Sequence, residues 1–210
     1  LWYEKKPQRK LKTELNNRLE NHRLKRIALT LFYLELLTFS MQKEGKRFQI
    51  QVLDVGQGDG IYIESDAGTE IFVDGGSVDV SEVGKYRIRP FLKSHGVREV
   101  DYWFVSHCDA DHCNGLMELL ETDYPIKHLV FSKYVLKDEA QEELAALAKQ
   151  KGCQVLYMEE GECFRDTSIR IQAIYPSEKS VEGERNADSL VLLLEHEAFR
   201  GLLTGDIGQE

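Results

Sequence analysis

The sequence lacks the features that would place a chain of 210 residues in several common classes. None of its four cysteines forms a Cys-x-x-Cys pair, which argues against a structural zinc knuckle. The longest apolar run, from Ile27 to Phe39, has 13 residues with Glu35 inside it, whereas a helix that spans a membrane needs about 20. A net charge of −9 argues against a protein that coats nucleic acid generally. The sequence also contains no phosphate-binding glycine loop and no Gly-x-Ser-x-Gly motif.

What the chain does contain suits one globular domain with an extension. Hydrophobic residues make up 42% of the chain and charged residues 30%, which allows a sizeable core and argues against general disorder. Residues 1–26 hold nine Lys or Arg against three Glu, so the remainder of the chain is strongly acidic. A polar segment at residues 42–46 separates the two parts. We therefore expect a basic segment with an apolar helix at 1–45 and a folded domain at 46–210.

The apolar run in the extension allows two interpretations. Its length alone predicts an amphipathic or buried helix. Alternatively, Ile27–Met41 is a membrane-associated segment, and the positive residues ahead of it would then place the folded domain on the outer face. The chain has no Met at residue 1 and ends soon after Asp206, so we expect it to be part of a longer protein.

Hydrophobic periodicity predicts an α/β (α+β) domain after residue 46. Three strands come first, then strands alternate with helices, and strands follow again. We expect strands at 48–53, 61–64, 70–73, 101–105, 126–131, 153–157, 168–175, 189–195 and 201–204. Helices are expected at 86–95, from residue 116 to about residue 121, and at 138–151.

A dense group of metal-ligand side chains follows the strand at 101–105. His107, Asp109, Asp111 and His112 lie within six residues. On extended backbone, a spacing of two puts His107 and Asp109 on one side, and the other two follow where the chain turns into a helix. Imidazole and carboxylate are ligands that Zn²⁺ and Mn²⁺ accept. The alternative is a solvated acidic turn, but a strand, a ligand cluster and a glycine-ended turn rarely coincide by chance.

Four motifs together resemble those of a known family. The group at 107–112 resembles the second motif of the metallo-β-lactamase fold. Leu53–Asp59 (LDVGQGD), Val73–Gly76 (VDGG) and Leu203–Asp206 (LTGD) resemble motifs of the C-terminal hydrolase domain of ComEC, the competence-type DNA-internalisation family. The resemblance covers about residues 47–210. It implies a metallo-β-lactamase αββα sandwich, truncated at its C-terminus before the final layer, with the N-terminal helical extension in front.

The resemblance also implies a site for two divalent metal ions, Mn²⁺ or Zn²⁺. His107 and Asp109 would hold one ion, Asp111 and His112 the second, and Asp206 would bridge them. Asp111 would also orient the attacking hydroxide. Asp74 would orient the group at residues 107–112, which we call the metal motif. Residues that would face the substrate are Gln57, Asp59, Asn186 and Ser189. The family's lone histidine between the second motif and the Gly-Asp motif has no counterpart here, and its later histidine would lie beyond Glu210.

The function that the resemblance implies is phosphodiester hydrolysis of DNA during its uptake. The partners would be DNA and the membrane channel portion of the same polypeptide, at the outer face of a bacterial membrane. Two alternatives remain open: a non-catalytic module that guides DNA into a channel, and a hydrolase of small esters, lactones or lactams, because the fold hosts many chemistries. On the outer face, Cys153 and Cys163 would be able to pair. We expect Cys113 to be a small core residue.

Overall fold

The computed structural model describes residues 18–35, 46–134, 139–179 and 187–207. The chain divides into two units between Gly45 and Lys46, and each is described by itself. In the first unit, residues 18–35 form a helix whose side chains are exposed. The rest of the segment expected to be membrane-associated, residues 36–41, lies outside the described residues. Of the helices in the described ranges, none is both long enough and apolar enough to cross a membrane.

Six strands form the first sheet of the second unit. In their order across the sheet they are β1 (Gln49–Val52), β2 (Gly60–Glu64), β3 (Glu70–Asp74), β4 (Val100–Phe104), β5 (Ile126–Ser132) and β6 (Gln154–Met158). The first three strands pair in antiparallel fashion, and β3 to β6 pair in parallel. The carboxyl ends of the parallel strands therefore share one edge of the sheet, where α/β proteins commonly place their sites.

Helices cover one face of this sheet. A π-helical turn, Gly84–Ile88, leads into α1 (Arg89–Ser94), while α2 (Ala110–Glu121) follows β4 and α3 (Glu139–Gln150) follows β5. Leucines recur at helical spacing in α2, and Leu116 and Leu119 are fully buried. They belong to one core cluster with Phe72 and Trp103, whose rings stack with centroids 4.3 Å apart. This cluster joins the helices to the sheet.

A second sheet packs on the opposite face of the first. It consists of β7 (Cys163–Arg165), β8 (Arg170–Tyr175), β9 (Val191–His196) and β10 (Phe199–Leu203), all antiparallel, in the order β10–β9–β8–β7. Successive strand residues point to opposite faces, so the neighbours of Phe72 face away from the helices. The resulting core between the sheets contains Ile71, Val73, Phe104, Ile171, Leu192 and Leu194. The described layers are thus helices, sheet, sheet.

This architecture confirms the expected α/β class and corresponds to three successive layers of an αββα sandwich. Three local features differ from the prediction. Strand β7 was not expected, since Cys163–Arg165 is too short to show a pattern. The helix expected at 86–95 begins with the π-helical turn at Gly84. Helix α2 starts at Ala110, so the second half of the metal motif lies in its first turn.

The pairing of Cys153 with Cys163, which the sequence left open, is not formed in the structure. Cys153 is buried in the core beneath the helices, whereas Cys163 is exposed on the second sheet, and both are free. The chain packs the two residues in different layers, which spacing along the sequence does not reveal. Cys113 is buried in the same core as Cys153, as expected of a small core residue.

Candidate metal centre

The metal motif lies at the carboxyl edge of the parallel strands. Asp74 is the last residue of β3, and residues 106–109 continue from the end of β4 into helix α2. Asp206 follows β10 of the second sheet. The segments that follow β4 and β10 approach each other closely. A Cβ atom added to Gly205 would lie only 2.8 Å from Ser106 Cβ. The site therefore receives residues from both sheets.

Two buried histidines form the centre of the site. His107 and His112 are each 1% exposed, and their ring centroids lie 4.0 Å apart. His107 Nε2 lies 3.7 Å from Asp109 Oδ2, and His112 Nε2 lies 3.4 Å from Asp206 Oδ2. One ligand atom from each of His107, His112 and Asp206 lies within 4.8 Å of the others. Two imidazole nitrogens and one carboxylate oxygen thus lie close together.

The arrangement fits a metal ion. His107 Nε2 is buried and has no hydrogen-bond partner among the described residues, and leaving a buried polar atom unpaired costs about 1–3 kcal/mol. The same nitrogen faces the carboxylate of Asp109, whose side chain does not cap helix α2 although it occupies the N-cap position. A cation bound beside His107 Nε2 would satisfy this nitrogen and would lie next to the Asp109 carboxylate.

Asp74 is buried beside His112 and is joined to His107 through Ser106. Its carboxylate is 2% exposed and accepts hydrogen bonds from the Ser106 backbone N–H (2.7 Å) and hydroxyl (2.9 Å). It also lies 3.1 Å from His112 Nδ1. Because these protein donors engage both carboxylate oxygens, Asp74 is placed to orient the ring of His112. Its positive φ of 58° turns the chain sharply at the end of β3.

The glycine loop at Gly56–Asp59 is held against the metal motif. The Asp59 backbone N–H donates to the Asp111 carbonyl (3.1 Å), and its carbonyl accepts from the Gly76 N–H (3.1 Å). A Cβ atom on Gly58, where φ is +150°, would lie 2.4 Å from the Gly76 carbonyl oxygen. Only glycine allows this conformation and this close approach. The loop brings the Asp59 carboxylate within 4.8 Å of ligand atoms of Asp74 and His112.

The remaining predicted site residues have different positions. Asp111 is half-buried in the first turn of α2 and belongs to neither group of three ligand atoms that meet within 4.8 Å. Gln57 is exposed, and its backbone N–H donates to Asp79 (2.8 Å). Ser189 is fully buried, with its hydroxyl 3.3 Å from His107 Nδ1. Asn186 lies outside the described residues. The roles assigned to all of them stay predictions.

Burial and the nearby carboxylates act differently on the two histidines. Burial lowers the pKa of His107, and the charge of His112 lowers it further. Burial alone would also lower the pKa of His112, but the hydrogen bond to Asp74 and the charges of Asp74, Asp206 and Asp59 raise it to about 9. Burial raises the pKa of Asp59, with the charges of Asp74 and Asp206 adding to the effect. The charges of four acidic groups act on the two histidines: Asp59, Asp74, Asp109 and Asp206. A bound cation would be stabilised by these negative charges.

Two contributors to the site escaped the sequence interpretation. Ser106 contacts Asp74 and both histidines, yet it precedes the motif and has no ligand chemistry of its own. Gly76 lies directly against the start of α2, where an added Cβ would be 2.4 Å from the Ala110 carbonyl oxygen. The pair of glycines after Asp74 was the available signal for this close packing.

No family model matches the chain. The chain is 24% identical over 197 residues to ComE operon protein 3 of Bacillus subtilis (strain 168). The match covers 88% of this chain and 25% of that protein, so the chain spans about a quarter of the curated relative's length.

Two solved structures illustrate the likeness of this chain to proteins of known structure. YhfI, a metallo-beta-lactamase fold protein from Bacillus subtilis, has a TM-score of 0.49 and 12% identity, covering 75% of this chain and 62% of its own. Zn(2+)-bound PqqB from Methylobacterium extorquens has a TM-score of 0.49 and 13% identity, covering 70% and 52%. TM-scores this low carry no argument about the fold, which is described by the two sheets and the helical layer alone. The match to ComE operon protein 3, a ComEC-family protein, confirms the resemblance to that family which the four motifs predicted.

Proposed function

We propose that this chain is a metal-dependent phosphodiesterase that acts on DNA. The observation that supports this most is that ligand atoms of His107, His112 and Asp206 lie within 4.8 Å of one another at the edge of the sheet. A buried pair of imidazoles beside several carboxylates suits Zn²⁺ or Mn²⁺. A bound divalent ion would supply a water of lowered pKa and would neutralise charge on the phosphate.

The protein's own residues would prepare the site for this chemistry. His107 and His112 would hold the ion through Nε2, and Asp206 and Asp109 would add carboxylate oxygens. Asp74 would keep His112 in place through the hydrogen bond to Nδ1 (3.1 Å). Asp59 is half-buried at the same edge, near Asp74 and His112, and would face an approaching phosphate. Since the surrounding carboxylates repel a phosphodiester, we expect substrate binding to require bound cations.

The DNA substrate and the place of action follow from the resemblance to the ComEC family. Its motifs occur here at Leu53–Asp59, Val73–Gly76, His107–His112 and Leu203–Asp206. We propose that the unit acts at the outer face of a bacterial membrane, beside a channel portion of the same polypeptide, and degrades DNA during uptake. We further propose two ions per site, with Asp111 contributing to the second.

The test is cleavage of labelled single- and double-stranded oligonucleotides by the 210-residue chain. Mn²⁺ or Zn²⁺ is added to metal-depleted protein, and the products are resolved by length. We expect metal-dependent cleavage that His107→Ala and Asp206→Ala abolish. The control is His22→Ala, since His22 is exposed in the first unit. Cleavage that both site variants leave unchanged would refute the proposal.

A second candidate is a non-catalytic module that guides DNA. It is favoured by the small donor set, because each group of ligand atoms that meets within the described residues has three members. Metal-free protein that binds DNA but cleaves neither DNA nor a small phosphodiester would support this candidate. Cleavage of lactones or carboxylic esters, but not of phosphodiesters, would instead indicate a small-molecule hydrolase.

A further inference from the structure

Ser106 is fixed at the junction of the two sheets. It is 2% exposed and directly follows the segment that leaves β4. Its backbone N–H donates to Asp74 Oδ1 (2.7 Å), and its carbonyl accepts from the Leu190 N–H (2.8 Å). Asp74 ends a strand of the first sheet and Leu190 precedes a strand of the second. The position of its side chain is therefore set by the fold.

The Ser106 hydroxyl contacts three groups but has only one proton. Its oxygen lies 2.9 Å from Asp74 Oδ2, 3.0 Å from His107 Nδ1 and 3.4 Å from His112 Nδ1. A carboxylate can only accept, so the hydroxyl proton goes to Asp74. The hydroxyl oxygen must then accept from His107, which requires a proton on His107 Nδ1. The other ring nitrogen, Nε2, is left as a bare lone pair facing Asp109.

The same assignment of donors and acceptors applies to His112. Its Nδ1 lies 3.1 Å from Asp74 Oδ2, which can only accept, so this nitrogen also carries a proton. A neutral imidazole binds a metal through the nitrogen that carries no proton, and a hydrogen bond at the other nitrogen selects which one that is. The contacts at Nδ1 thus turn the Nε2 side of both rings away from Ser106 and Asp74, and for His107 they also select the tautomer.

We infer that Ser106 is a positioning residue that fixes His107 in the tautomer with a proton on Nδ1 and couples that ring, through Asp74, to His112. The inference rests on the proposed function only in that the group facing Nε2 is taken to be a metal ion. Ser189 offers partial support for His107, with its hydroxyl 3.3 Å from Nδ1, but no contact to Asp74 or His112 is found for it in the described chain.

Two variants change the direction of the hydrogen bonds in different ways. Ser106→Ala removes the hydroxyl, so His107 is left with the longer contact to Ser189 and should populate both tautomers. Asp74→Asn keeps the shape of the side chain. Its oxygen continues to accept from the Ser106 N–H, so its amide nitrogen faces the Ser106 hydroxyl and donates to it. The hydroxyl proton must then point to His107 Nδ1, which moves the ring proton to Nε2.

The experiment records imidazole ¹⁵N NMR spectra of the metal-free chain near neutral pH and measures Zn²⁺ affinity by calorimetry. We expect the wild-type His107 to carry its proton on Nδ1, Ser106→Ala to give a mixture, and Asp74→Asn to give the Nε2-protonated form. Zn²⁺ affinity should fall about 10- to 100-fold in both variants. Ser65→Ala is the matched control, because Ser65 is fully buried but its hydroxyl accepts from the Thr69 N–H (3.0 Å) in a hairpin turn.

The outcomes separate this inference from the proposed function. A wild-type His107 protonated on Nε2, or an unchanged tautomer and Zn²⁺ affinity in both variants, would overturn it. If Ser106→Ala fails to fold, as thermal unfolding would reveal, the isosteric Asp74→Asn variant decides alone. A wild-type chain that shows the expected tautomer and binds Zn²⁺ but does not cleave DNA would refute the proposed function and leave the role of Ser106 intact.

Discussion

Replacing Gly76 by alanine tests how closely the metal motif must approach the end of β3. A Cβ atom added at Gly76 would lie 2.4 Å from the Ala110 carbonyl oxygen, 2.4 Å from the Asp111 carbonyl carbon and 2.5 Å from the His112 amide nitrogen. All three are backbone atoms in the first turn of α2, so no flexible side chain can move aside. Since non-bonded carbon atoms prefer about 3.5 Å or more, the start of the helix must shift by about 1 Å.

That shift has two measurable consequences. Overpacking of this kind destabilises a protein by about 1–3 kcal/mol, which for a chain of this size lowers the unfolding temperature by about 2–12 °C. Displacing Asp111 and His112 by about 1 Å should also reduce turnover of a small phosphodiester by about 100-fold. The fold should survive at room temperature, so the loss of activity would exceed what unfolding explains.

The assay combines thermal unfolding, Zn²⁺ calorimetry and hydrolysis of bis(p-nitrophenyl) phosphate. Gly60→Ala is the control, because Gly60 lies opposite Asp74 in the sheet but its added Cβ would meet side-chain atoms and no backbone, the nearest being Val55 Cγ1 at 3.1 Å. It should retain most of the metal affinity and turnover. A Gly76→Ala protein with wild-type Zn²⁺ affinity and turnover would refute the argument that this contact positions the motif.

Three further outcomes are expected. Asp206→Asn should weaken Zn²⁺ binding by at least about tenfold while leaving the unfolding temperature nearly unchanged, since its side chain is 44% exposed; equal affinity would contradict its role. Trp103→Ala should cost about 3–5 kcal/mol of stability in denaturant unfolding, because the ring is fully buried and its Nε1–H donates to the Asp74 carbonyl; a loss below about 1 kcal/mol would contradict this packing. Partial burial alone would raise the pKa of Asp166, but hydrogen bonds from Ser65, Ser168, Ile169 and Thr69 lower this pKa to about 2. The stabilisation from Asp166 should therefore be present above about pH 4 and be lost as the pH falls towards 2, and Asp166→Asn should flatten that part of the acid-unfolding curve; an unchanged curve would contradict it.

The sequence was informative wherever the chemistry was local. The spacing of His107 and His112 around a strand-to-helix turn was enough to predict that they face one pocket, and the structure places their ring centroids 4.0 Å apart. Alternation and short apolar runs located nine of the ten strands in the part of the chain that the structure describes, because the two-residue period of a half-buried strand is a direct result of its pleat.

What the sequence could not supply depends on packing between distant segments. The contact of Gly76 with the start of α2 and the three contacts of the Ser106 hydroxyl arise only when β3, β4 and α2 meet. Spacing also gave no warning that Cys153 and Cys163 lie in different layers. The position of Asp206 beside His112 was expected from the resemblance alone, since no local pattern links the end of β10 to a motif about a hundred residues earlier.

Zn²⁺ and Mn²⁺ binding to metal-depleted protein, followed by calorimetry and elemental analysis, tests the central claim most directly. If His107, His112 and Asp206 form a metal centre, the wild-type chain should bind the ion saturably and His107→Ala should weaken that binding by at least about tenfold, while His22→Ala should bind like the wild type. A wild-type chain that binds neither ion, or a His107→Ala variant that binds as tightly as the wild type, would contradict the account.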